Sequence, residues 1–126
     1  MSVLNDSEIA EFNEGDIVRI RNDIDEYTPI PFSFVSHMNK YRGQEFRIQK
    51  RHETHTYRIN DFPVIEDTLI RMGIDVEEFD DIRVTRYRLN DLNGNDIGYN
   101  WSIFMFDLDC MIEVEYELEE INILFE

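Results

Sequence analysis

The sequence predicts a small, mainly β domain of the α+β class with one helix set between its strands. Three observations carry that expectation. Short runs of alternating apolar and polar residues recur along the chain, as half-buried strands require. Glycine and Asn-Gly signals separate those runs, and residues 61–83 alone change to a helical spacing. The 126 residues suit one domain, and nine Phe, six Tyr and one Trp supply the large side chains that a core of that size needs.

Taken in chain order, residues 1–11 are polar and read as a loose arm or as a short helix entered at Asn5, Asp6 or Ser7. Gly15-Asp16 marks a turn, after which Ile17, Val18 and Ile20 alternate with Arg19 and Arg21 as the first strand. Pro29 and Pro31 make residues 22–31 a loop. Phe34, Val35 and Met38 suit a short helical turn or an irregular strand that ends at Arg42-Gly43. Phe46 and Ile48 alternate with polar neighbours, and Tyr57 and Ile59 mirror them across KRHETHT, which predicts a hairpin with a polar tip.

Pro63 suits the first position of a helix, Ile65, Leu69 and Met72 share one face, and Gly73 is placed to stop it. Residues 84–89 return to alternation and lead into NDLNGNDIG, where Asn93-Gly94 favours a tight turn. The aromatic run from Tyr99 to Met105 supplies core. Finally Ile112, Val114, Tyr116 and Leu118 alternate with glutamates as a half-buried acidic strand, and Glu119-Glu120 shifts the phase to Ile121, Ile123 and Phe125.

The 28 acids against 12 bases give a formal charge of -16, and the distribution is uneven. All twelve bases lie between Arg19 and Arg88, so residues 89–126 carry ten acids and no base. Such a segment repels nucleic acid and anionic membranes and attracts basic protein surfaces. Cys110 is the only cysteine, which excludes an intrachain disulfide and fits a reducing compartment, with the cytoplasm as the expected location. No run of eighteen apolar residues and no basic leader is present, so neither membrane spanning nor secretion is expected.

Gly15, Asp16, Val18 and Ile20, then Met38, Lys40, Tyr41, Gly43 and Ile48, then Trp101 and Met105 form an ordered pattern over residues 12–106. That pattern resembles a small SH3-like barrel domain of phage and prophage proteins, similar to the mind-bomb/HERC-type domain of some ubiquitin ligases. The resemblance implies a small SH3-like barrel built from residues 12–60 and 84–126, with 61–83 as a helical insertion the family pattern lacks. It also implies a scaffold for protein contacts and a viral or mobile-element source.

The candidate site is the acidic ladder Glu113, Glu115, Glu117 and Glu119, with Asp107, Asp109 and Glu120 beside it. Alternate strand residues project on one side about 6.6–6.8 Å apart, comparable to roughly 7 Å between phosphates along one DNA strand. Glutamate is also an ordinary occupant of an exposed strand face, where charge guards against edge pairing. Four like charges with no local base favour a basic partner. His52 and His55 are three residues apart, not the four of a zinc-protease helix, and read as a hairpin tip and not as metal ligands.

Lys40, Arg42, Arg47, Lys50, Arg51 and Arg58 form a basic stripe that reads as a solvated face before a phosphate site. Trp101, Tyr99, Phe104 and Phe106 read as core before a peptide groove. No residue set points to catalysis, a cofactor or a metal. The expectation is therefore a non-enzymatic inhibitor that blocks a host nucleic-acid-binding or defence protein by occupying its basic surface, as a DNA mimic does. The alternative is an SH3-like interaction adaptor whose acidity serves solubility, sensitive near Phe62, Leu69 or Met72. The oligomeric state is open.

Overall fold

The computed structural model describes residues 2–111. The predicted acidic strand, with Glu113, Glu115, Glu117, Glu119 and Glu120, lies outside them. Four strands, β1 (Val3–Asn5), β2 (Ile17–Arg19), β3 (Glu45–Arg58) and β4 (Asp81–Asn90), form one mixed sheet in the order β1-β4-β3-β2. β2 and β4 run antiparallel to β3, and β1 runs parallel to β4. Among the described residues the sheet is open, with β1 and β2 at opposite edges, so the coarse α+β class holds and a closed barrel is not formed.

Two expectations need correction. The segment KRHETHT is no hairpin tip: β3 runs without a break from Glu45 to Arg58 and pairs along β4, from Arg47 opposite Asn90 to Arg58 opposite Asp81. Register shifts between Ile48 and Lys50 and between Arg51 and Thr54 interrupt the alternation. Such bulges displace the side-chain phase, which is why two apolar pairs seemed to mirror each other. The N-terminal residues are also no loose arm. Leu4 is buried opposite Ile82, and only Asp6–Glu8 forms the short helical turn that the sequence predicts.

The helix is where the spacing places it. α1 spans Pro63–Arg71 with Pro63 in its first turn, and Gly73 follows at φ +75°, in the left-handed region that ends helices cheaply at glycine. Ile65 and Leu69 are fully buried on its inner face. Each contributes about 1.5–3 kcal/mol by leaving water. Val18, Ile20, Phe46, Ile48, Ile82, Val84 and Leu89 cover the sheet's inner face, and Trp101, Phe104 and Phe106 complete the core. Trp101 donates its indole N–H to the Gly98 carbonyl at 2.8 Å, so the run Tyr99–Met105 is core and not a peptide groove.

The outer edge of β4 changes partner along its length. β1 covers residues 81–83, while the Trp101 carbonyl accepts the Tyr87 amide at 2.8 Å. Between them the Asp6 carboxylate accepts the Thr85 amide at 2.7 Å and the Thr85 hydroxyl at 2.9 Å. A side chain here substitutes for the missing backbone carbonyl, which explains a carboxylate only 2% exposed. Burial pushes it above the usual carboxylate range, against the Thr85 hydrogen bonds.

Candidate functional site

Asp107 and Asp109 are the two predicted site residues within the described chain. Both line an open cleft of about 290 Å³. One wall is the loop after β2, with Arg21 and Asp23; another is α1, with Asp67, Thr68 and Arg71; the third is residues 107–109. The bridge between Ile20 and Phe106 and the Asp107 amide, which donates to the Arg19 carbonyl at 2.8 Å, fix the third wall against the first.

The two cleft arginines are already committed to the cleft's own acids. Arg21 grips Asp23 with both arms of its guanidinium, Nε to Oδ1 and Nη2 to Oδ2 each at 2.8 Å. Its remaining Nη1 donates to the Phe104 carbonyl at 3.3 Å. This fork holds the Asp23 carboxyl below its ordinary range. Arg71 pairs with Asp67 one turn away on α1 at 3.0 Å, an exposed contact of small energetic weight.

What remains in the cleft is surplus carboxylate. Asp107 has only a long pair with Arg19, at 3.7 Å, and Arg19 also reaches Glu45 at 3.5 Å. Burial first, then the neighbouring charges of Asp109 and Asp23, pushes the Asp107 carboxyl up against the pull of Arg19 and Arg21. A site that resists a further negative charge in this way is one that a cation or a basic side chain relieves. Among the described residues no group of three His, Cys, Asp or Glu is arranged to hold a metal.

The other singled-out residues are dispersed into structural contacts. Arg42 donates to the Asn22 and Ile24 carbonyls, Arg47 to the Gly15 carbonyl, and Arg51 pairs with Glu11. The basic stripe thus does not act as one surface. His55 lies edge-on to Phe32 with ring centroids 5.2 Å apart and reaches Glu53 at 3.6 Å. His52 falls in the bulge, where desolvation of its ring and then the charges of Arg86 and Lys50 hold its pKa down. The Cys110 thiol is buried and accepts the Arg19 amide at 3.3 Å.

Phe62, Leu69 and Met72 pack on or in the core, so substitutions there report on folding and not on an adaptor contact. Sequence reasoning missed the Arg21–Asp23 fork and the cleft itself. The i,i+4 spacing of Asp67 and Arg71 was a legible helix pair, but nothing in sequence brings residues 21–23, 67–71 and 107–109 together. The chain matches no family model, no curated protein and no solved structure. No helix among the described residues is long and apolar enough to cross a membrane.

Proposed function

We propose that this chain is a non-catalytic, acidic binding protein that occupies the basic surface of another protein. The observation that carries the reading is the surplus of carboxylate at Asp107 and Asp109, in a cleft whose arginines are already paired, at the start of a segment without a single base. Glu113, Glu115, Glu117, Glu119 and Glu120 continue that negative charge in sequence. A partner with a basic nucleic-acid-binding surface, such as a host nuclease or another defence protein, suits such a surface by competition with the phosphate backbone. The mechanism is occlusion, with association speeded by charge and weakened by salt.

The test is retention of partners from a host cytoplasm on immobilised protein, eluted in steps of salt. Three forms are compared: wild type, Asp107→Asn with Asp109→Asn, and Glu113, Glu115, Glu117 and Glu119 all changed to Gln. Occupation of a basic surface requires that a nucleic-acid-binding protein leaves wild type at moderate salt and is lost from both variants. The same partners on all three forms would return the chain to an interaction adaptor whose acidity serves solubility.

A further inference from the structure

The sheet has a second charged surface of the opposite sign. β3 and β4 together carry seven of the chain's twelve basic residues against three acids, in a molecule of net charge -16. Val18 and Phe46, direct partners, face the core, so their neighbours Ile17 and Arg47, also partners, face outward. On that outer face Lys50 lies directly opposite Arg88. Like charges in register destabilise a sheet unless an anion lies between them. Arg86 adds a third cation on the same strand. It is tied to Glu53 at 3.0 Å and to Asn100 at 3.1 Å, yet its Nε is buried with no hydrogen-bond partner, as is Nε2 of His52 beside it.

The described chain ends at the margin of this face. Residues 107–110 run along the free edge of β2, held by the Asp107 amide on the Arg19 carbonyl and the Arg19 amide on Cys110 Sγ. A groove of about 250 Å³ opens there between Ile17, Arg19, Glu45, Asp109 and Cys110. Ile17, 45% exposed, is an apolar foothold on its floor. From Glu45 to Lys50 along β3 is about 17 Å at ~3.3 Å per residue. Residues 112–126 carry six glutamates and no base, and extended chain of that length reaches up to ~50 Å.

We propose that the outer face of β3 and β4 is the docking surface for the chain's own acidic segment, residues 112–126, through ion pairs of its glutamates with Lys50, Arg86 and Arg88. Covalent linkage makes the acidic segment's effective concentration millimolar, which no free anion matches under ordinary conditions. A second copy is the weaker occupant, because two molecules of charge -16 repel each other at low salt. A polyanion meets the same field. The inference needs no partner protein, since both surfaces belong to one chain, and its failure leaves the proposed function standing. If both hold, a basic partner must displace the segment from its own sheet before binding it.

The test is zero-length carbodiimide cross-linking of the full chain at low ionic strength, read by mass spectrometry. Only Lys40 and Lys50 carry side-chain amines, and Lys40 sits elsewhere, its ammonium 5.1 Å from the Tyr41 ring centroid. The expected product has monomer mass and joins Lys50 to a glutamate between 113 and 120, with a yield that falls about fivefold in half-molar salt as charges are screened. In parallel, changing Glu113, Glu115, Glu117 and Glu119 to Gln should shift the backbone amide NMR signals of Lys50, Arg86 and Arg88 and leave those of α1 in place. Lys50 linked only to Glu53 or Asp96 overturns the proposal. So do the same linkages at dimer mass, which would assign the face to a second copy, and retention of wild type on heparin with the acidic segment uncross-linked, which would assign it to a polyanion.

Discussion

Asp6→Ala should be among the most damaging single changes in this chain outside the apolar core. The carboxylate is 2% exposed and accepts two hydrogen bonds from Thr85, at 2.7 Å from the amide and 2.9 Å from the hydroxyl. Removing it leaves the Thr85 amide facing a void at the seam between β1 and the Trp101 segment, a penalty of about 1–3 kcal/mol, with the loss of charge-assisted bonds on top. Relief of the buried charge offsets part of this, so a net loss of about 2–3 kcal/mol is expected in urea unfolding at neutral pH, with an unchanged slope. Thr85→Val removes only the hydroxyl bond and should cost about 1 kcal/mol. Asp6→Asn keeps an acceptor for the amide and adds a second readout through pH. Because burial raises the folded-state value of Asp6 above 3.8, the folded protein binds the proton more readily than the unfolded chain, and this group contributes more stability as the pH falls through that window. The groups facing it, Thr85, Ser7, Arg51, Glu11 and Tyr87, are common to both proteins. The deficit of Asp6→Asn relative to wild type should therefore grow on acidification. A cost for Asp6→Ala below about 0.5 kcal/mol, or a deficit that shrinks in acid, would refute the seam.

Asp23 behaves in the opposite sense. Its folded-state value is lowered by Arg21, so its stability is present above 3.8 and lost as the pH falls through the lowered value. Asp23→Asn should cost about 0.5 kcal/mol at neutral pH, a small figure because the carboxylate is 68% exposed, and its unfolding curve should merge with wild type in acid. Leu69→Ala, on the fully buried face of α1, should lower stability by about 2–5 kcal/mol in chemical denaturation. A loss under 1 kcal/mol would mean that α1 is appended to the core and not part of it. Gly43→Ala should cost more than about 1 kcal/mol in thermal unfolding, since Gly43 has φ +75° and an added Cβ would lie 2.8 Å from the Asn22 side-chain oxygen.

The fold was legible where short-range chemistry decides it. Pro63, the Ile65–Leu69 face and Gly73 specify α1 without help from the rest of the chain, and Gly94 at φ +92° makes the turn that Asn93-Gly94 advertises. β3 was misread for a physical reason. From Gln49 to Thr56 its residues are largely solvated on both faces, so no hydrophobic alternation marks the strand, and two register shifts break what periodicity remains. β1 was illegible for another. Three residues cannot carry a period, and their strand conformation comes from β4 across more than seventy residues of sequence. Of the candidate site, only Asp107 and Asp109 were named in advance, as isolated acids near the ladder. Their setting depends on Arg21 and Asp23, delivered by the end of β2, and on the outer turn of α1, contacts that a linear pattern does not encode.

The open sheet gives the charge pattern a use that a closed barrel would remove. In a barrel every strand edge is paired, and cations along two strands would all face outward around a ring. Here the β2 edge is covered only by residues 105–110, and the long β3–β4 ribbon presents one broad outer face. Six of the twelve basic residues are in ion pairs with acids of the described chain: Arg19, Arg21, Arg51, Arg71, Arg86 and Arg88. The unmatched acid is thereby concentrated in the last third. Salt then acts on the two ends of the argument with opposite signs. At a Debye length near 10 Å in 0.1 M salt, screening weakens repulsion among surplus carboxylates and steadies the fold, while it weakens attraction to a basic partner. Stability that rises with salt while partner retention falls is what a charge-driven binding surface on this scaffold entails, whereas an acidic surface serving solubility alone gives the first effect without the second.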